Sequence, residues 1–156
     1  MNQQISIKQV QYDAEEVFRI GGFYCSEAIV SSIRKNIAPE MPIELVAAAS
    51  GFPIGVGRAK CMCGAISGAV IALGYFFGRT HPSTITDPKS QKCMELAHEA
   101  KERFRTNHKT LCCHIHVAGM DLASGEHKKQ CVAFTGEMAA ITAELIAREL
   151  GLAVID

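Results

Sequence analysis

Apolar residues recur along this chain every three to four positions, which is the spacing of amphipathic helices. No stretch shows the sustained two-residue alternation of a half-buried strand. The pattern therefore predicts an all-α fold, a single-domain helical bundle. Helices are predicted at residues 13–20, 23–37, 43–49, 60–78, 89–107 and 126–150, with a short helix after Thr110 and Gly151 as the cap of the last one.

The predicted helix at 60–78 contains the most apolar stretch of the chain. Its segment 62–77, MCGAISGAVIALGYFF, has 16 residues, whereas a bilayer crossing needs roughly 18–20. We therefore predict a buried central helix rich in Gly and Ala, with no membrane span. Its small residues would let neighbouring backbones approach closely, and they would equally suit a homodimer contact. Three glycines and a proline at 50–57 predict an ordered loop before this helix.

Composition supports one globular domain over residues 1–156. Apolar residues make up 48% of the chain and charged residues 21%, which is ordinary for a folded protein. Basic and acidic residues number 16 each, and this balance argues against a nucleic-acid partner, which usually selects a basic face. The first residues show no cationic segment leading into an apolar run, so we expect a cytoplasmic location.

Seven cysteines are many for this length. In a reducing compartment they more often serve metal or redox chemistry than structural bridges. Cys25, Cys63, Cys113 and Cys131 each lie near a predicted helix start, where unpaired N–H groups and the helix dipole favour thiolate over thiol. We expect these helix starts to converge on one site. Cations that would add to the effect are Arg58, Lys60, Lys109, Lys128 and Lys129.

The other three cysteines have simpler interpretations. Cys93 lies on the apolar stripe of its helix and is expected to be a small buried hydrophobic residue. Cys61 is two positions from Cys63, so on a helix the two side chains point about 200° apart. We interpret Cys61 as a neighbour or reserve thiol. Cys112 and Cys113 are adjacent, which favours one site residue from the pair, with Cys113 preferred.

Spacing alone gives a weak metal signal. The cysteines match neither a CxxC…CxxC zinc ribbon nor the close clustering of ferredoxin ligands. A stronger signal is the segment 63–68, CGAISG, which resembles the CGAxxG motif of the C_GCAxxG_C_C family of putative redox-active proteins. That family has one cysteine upstream, one ahead of a Gly-x-Asp segment such as 119–121, and one at the start of the last helix. The resemblance covers about residues 12–150.

The resemblance implies a set of site residues. The four family cysteines correspond to Cys25, Cys63, Cys113 and Cys131. The segment between Cys113 and Gly119 departs from the expected spacing by about one residue, and it contains His114 and His116, either of which could replace a cysteine as a ligand. Gly64 and Gly68, one turn apart, are expected to open a groove beside Cys63 for a cofactor or for a second backbone.

The family looks related to a domain of split-Soret cytochromes, in which an iron–sulfur centre accompanies haem. The resemblance therefore implies four thiolates that bind an iron–sulfur cluster, [2Fe–2S], for electron transfer or redox sensing with an unidentified redox partner. Covalent c-type haem is not expected, because Cys112-Cys113-His114 lacks the spacer of a CxxCH motif.

Two other functions remain open at this point. A metal-free thiol/disulfide oxidoreductase would need only two of the cysteines, brought together in space, with one thiol of low pKa. A binding module could instead use the cysteines for structural zinc. The sequence does not decide whether the protein is an enzyme, such as an oxidoreductase, or an electron carrier.

Overall fold

The computed structural model describes residues 1–156, and it confirms the predicted all-α class. The helices are α1 (Ile7–Arg19), α2 (Cys25–Asn36), α3 (Glu44–Ala48), α4 (Gly64–Phe77), α5 (Pro88–His108), α6 (Cys113–His116) and α7 (Lys128–Leu150). A 3-10 turn, Ala49–Gly51, follows α3. Two short strands, β1 (Gln4–Ile5) and β2 (Ala153–Val154), pair in parallel near the two chain ends.

The core forms around α4, as its composition predicts. Most of α4 is buried, and α2, α5 and α7 pack against it while α1 lies along α7. Apolar side chains from all of these helices fill the space between them, so one hydrophobic cluster connects the molecule. None of the helices combines the length and the hydropathy that a bilayer crossing requires.

Helix α1 begins earlier than predicted, at Ile7 instead of residue 13. Its true cap is Ser6, whose hydroxyl accepts a hydrogen bond from the Gln9 N–H at 3.0 Å. The carboxylate of Asp156 also accepts from the Ile7 N–H at 3.0 Å. These acceptors satisfy N–H groups that a helix start otherwise leaves unpaired. Asp156 reaches them because β1 and β2 bring the chain ends together, a pairing too short to show in the sequence pattern.

Helix α4 also begins later than predicted, at Gly64, because the residues before it adopt an irregular loop. We call residues 53–62 the entry loop. Ile54, Val56, Arg58 and Lys60 all have φ between 51° and 71°, a left-handed conformation that costs a side-chain-bearing residue roughly 1–2 kcal/mol. The three glycines and the proline predicted this loop, and its irregular backbone is confirmed. Gly151, in the left-handed conformation, caps α7 as predicted.

Candidate functional site

One cavity of about 650 Å³ gathers the four cysteines that the sequence singles out. Cys25 is the first residue of α2, Cys63 is the N-cap of α4, Cys113 is the first residue of α6, and Cys131 lies in the first turn of α7. All four are free thiols. The walls between them are largely apolar and include Phe18, Phe23, Ile54, Val117, Leu122 and Phe134.

Gly64 lies beside two of the four cysteines. Its N–H donates a hydrogen bond to the sulfur of Cys113. A Cβ at position 64 would lie 2.5 Å from the sulfur of Cys25, closer than the two atoms can approach. The absence of a side chain at Gly64 therefore lets the sulfur of Cys25 pack directly against the start of α4.

Gly68 lies against the backbone of α2. A Cβ there would lie 2.7 Å from the carbonyl oxygen of Ser26 and 2.8 Å from its Cα. The groove at Gly68 is thus filled by the backbone of α2, and neither Gly68 nor Gly64 lines the cavity. The sequence left open whether this groove holds a cofactor or a second backbone, and at Gly68 the structure shows the backbone of α2.

Cys113 is the cysteine with the strongest thiolate character. A hydrogen bond from the thiol of Cys63, with a smaller contribution from the N–H of Gly64, lowers the pKa of Cys113 to about 7. Partial burial opposes this shift without cancelling it. Donating its proton to Cys113, together with burial, raises the pKa of Cys63 far above the ordinary thiol range. These two residues therefore form one hydrogen-bonded pair that holds a single negative charge near neutral pH.

The other two cavity thiols, Cys25 and Cys131, are protonated near neutral pH. This corrects the expectation that every helix start favours thiolate. Burial raises the pKa of Cys25 to about 11, although the N–H groups of Ile54 and Ser26 donate to its sulfur. Burial raises the pKa of Cys131 to about 12, and the nearby charge of Cys113 adds to the shift. Removing a thiolate from water here outweighs the attraction of the helix dipole.

Cys61 and Cys112 form a disulfide, contrary to the expectation that the thiols are reduced and that Cys61 is a reserve thiol. The segments that carry them lie side by side: the Cys63 N–H donates to the Leu111 oxygen at 2.7 Å, and the His114 N–H donates to the Lys60 oxygen at 2.9 Å. Cys63 and Cys113 lie on the same two segments. The adjacent cysteines thus separate, with Cys113 lining the cavity and Cys112 held in the disulfide.

The histidines and cations near the site differ in part from the expected set. Lys60 and Lys128 line the cavity, whereas Arg58, Lys109 and Lys129 do not. Neither His114 nor His116 lines it either, and His116 Nε2 bonds to the carbonyl oxygen of Thr110 at 3.0 Å.

Two further residues complete the comparison with the expected site. His127, whose spacing in the sequence did not mark it as a site residue, lines the cavity next to Lys128. Its Nδ1 atom is buried and has no hydrogen-bond partner. The one sequence feature that indicates His127 is its position at the start of the last helix. Cys93 packs against the core, as expected, away from the cavity.

The cavity offers four cysteine sulfurs as donor atoms for a metal centre. No group of three or more His, Cys, Asp or Glu side chains is spaced to hold a metal ion. A tetrahedral zinc site needs all four sulfurs at about 2.3 Å from one point, so zinc would require them to move together. A two-iron cluster divides four thiolates between two irons. The four free thiols that line the cavity match that ligand set in number and in kind of donor atom.

Comparison with known proteins agrees with the motif. The family model for the putative redox-active protein family C_GCAxxG_C_C matches residues 23–145, which include all four cavity cysteines. No curated protein and no solved structure matches the chain. Because the match covers most of the sequence and the cysteines share one cavity, this chain belongs to the C_GCAxxG_C_C family of putative redox-active proteins.

Proposed function

We propose that this redox protein uses Cys25, Cys63, Cys113 and Cys131 to hold a [2Fe–2S] cluster and exchanges electrons with a partner protein. The observation that carries the proposal is that four free thiols, from four separate segments of the chain, line one cavity. Dithiol chemistry needs only two of them and leaves Cys25 and Cys131 without a role. Four thiols are the ligand number of a [2Fe–2S] centre.

The surroundings of the sulfurs suit a negatively charged group. An oxidised [2Fe–2S] centre with four thiolates carries a charge of about −2. Lys60 and Lys128 line the cavity and would offset part of it. The N–H groups of Ile54, Gly64 and Ala65 already point at cysteine sulfurs. Such hydrogen bonds to ligand sulfur tune reduction potentials, and when bound the cluster would supply one-electron transfer.

The thiols must lose protons before they can act as ligands. Cys113 ionises near neutral pH, whereas burial keeps Cys25 and Cys131 protonated up to about pH 11 and 12 in the metal-free protein. Metal binding therefore competes with protons at these sites and releases them. Cluster assembly should accordingly weaken as the pH falls below 7, where Cys113 also becomes protonated.

Anaerobic purification or reconstitution tests the proposal. We expect about two irons and two acid-labile sulfides per chain, with visible absorbance and a paramagnetic signal after one-electron reduction. Serine substitution of Cys25, Cys63, Cys113 or Cys131 should lower the iron content and change the spectrum, whereas Cys93→Ser, outside the cavity, should leave both unchanged. A folded protein that stays colourless and iron-free under these conditions would contradict the proposal, and one zinc per chain without redox activity would indicate a structural zinc module instead.

A second candidate function rests on the hydrogen bond between Cys63 and Cys113. A buried thiol paired with a thiolate of pKa about 7 is the arrangement from which a disulfide forms readily. A metal-free thiol/disulfide oxidoreductase would lose two free thiols on mild oxidation, and peptide mapping would find a Cys63–Cys113 bond. Retention of all five free thiols would exclude this candidate.

A further inference from the structure

The Cys61–Cys112 disulfide is separate from the cavity and more open to solvent. Cys61 is exposed and Cys112 is partly exposed, and neither lines the cavity. The bond joins positions 51 residues apart, at the end of the entry loop and just before α6. The role of this disulfide therefore does not depend on whether the four cavity cysteines bind a cluster.

The entry loop forms part of the cavity wall. Ile54 and Lys60, near its two ends, both line the cavity. The loop folds mainly on itself, through hydrogen bonds such as Lys60 N–H to the Ile54 oxygen at 2.9 Å. Its Ile54 N–H donates to the sulfur of Cys25, and its Lys60 oxygen accepts a hydrogen bond from the His114 N–H, outside the cavity.

This wall has an unfavourable local conformation. Four of its residues that carry side chains, Ile54, Val56, Arg58 and Lys60, have left-handed backbone angles. Such conformations persist where surrounding structure imposes them. The covalent restraint at this end of the loop is the disulfide, because Cys61 follows Lys60 directly. A loop held in this way is expected to relax when the restraint is removed.

We propose that Cys61–Cys112 is a second redox site, a disulfide that an external dithiol reduces and whose reduction opens the entry loop over the cysteine cavity. One thiolate of the reductant attacks the exposed Cys61 sulfur. The Cys61–Cys112 bond breaks, a mixed disulfide forms, and Cys112 leaves as a thiolate that takes up a proton. The second thiol of the reductant then displaces Cys61. Two electrons and two protons pass to the protein, and the reductant leaves as its own disulfide.

Reduction would thus control access to the inner thiols. With the bond closed, Ile54 and Lys60 of the entry loop form part of the cavity wall, and the Ile54 N–H donates to the sulfur of the partly exposed Cys25. With the bond open, reagents or inorganic ions from solvent would reach Cys25 and Cys63 more often. The site would act as a redox-controlled gate for the cavity.

The test compares the metal-free wild type, with its disulfide intact, with the double variant Cys61→Ser/Cys112→Ser. Removing both cysteines prevents a leftover thiol from pairing with Cys113. Iodoacetamide labelling of Cys25, followed by peptide mass spectrometry at pH 8, should be at least about tenfold faster in the double variant, because labelling follows the population of the open loop. Cys93, outside the cavity, is the internal control and should label at the same rate in both proteins.

Hydrogen exchange gives a second measurement that does not depend on a variant. Treating the wild type with dithiothreitol should free Cys61 and Cys112 and speed amide exchange at residues 54–60, with exchange in α7 unchanged. Equal labelling of Cys25 in both proteins, or a disulfide that resists dithiothreitol until the protein unfolds, would overturn the proposal. Neither result depends on cluster binding, so the failure of this proposal is distinguishable from that of the cluster.

Discussion

Replacing Cys63 with alanine is expected to move the pH midpoint of Cys113 alkylation from about 7 to about 9 or above. The wild-type thiol of Cys63 donates the hydrogen bond that contributes most to the low pKa of Cys113, whose ordinary value is 9.0. Only the thiolate reacts with iodoacetamide. At pH 7 the ionised fraction of Cys113 should therefore fall from about one half to about one hundredth.

The measurement is the pH profile of labelling in the metal-free protein with its Cys61–Cys112 disulfide intact. A full profile is better than a rate at one pH, because a thiolate of higher pKa is intrinsically more nucleophilic and offsets part of the change. Cys63→Ser keeps a hydroxyl donor and should leave the midpoint closer to 7. Cys93→Ala should not move it. A midpoint that stays near 7 in Cys63→Ala would assign the low pKa to the Gly64 N–H instead.

The positions of the cavity cysteines near helix starts could be predicted from the sequence. Glycines before Cys25 and Cys63, and a break before Cys131, mark places where helices start, and the structure puts these residues at or near the starts of α2, α4 and α7. The pKa values of these cysteines could not be predicted from the sequence in the same way. A sequence pattern locates a helix start along the chain, but it does not say how deeply that start is buried, and burial decides the pKa of Cys25 and Cys131.

The disulfide could not be predicted from the sequence, for a different reason. Cys61 and Cys112 meet because residues 60–63 and 111–114 lie side by side in one particular register. A shift of one residue in that register would change which sulfurs face each other. Such an alignment between distant segments depends on tertiary packing. The left-handed conformation in the entry loop could not be predicted either, because Ile54 and Val56 are residue types that rarely adopt it.

Alanine substitutions at two glycines of α4 are expected to change the free energy of unfolding in opposite directions. Gly68→Ala places a methyl group 2.7 Å from the backbone oxygen of Ser26, and neither backbone can move away cheaply. Overpacking of this kind lowers the free energy of unfolding by about 1–3 kcal/mol. Gly74→Ala adds the same methyl group where no atom lies within 4 Å. There alanine favours the helix by about 0.5–1 kcal/mol.

Urea unfolding of the two variants and the wild type would measure both changes, and equal slopes would show that the same surface is exposed in each case. The comparison also separates packing from cofactor binding. If Gly68 serves only the contact between α2 and α4, Gly68→Ala should destabilise the metal-free protein as much as the reconstituted one. A stable Gly68→Ala protein would show that this close approach does not hold the cavity together.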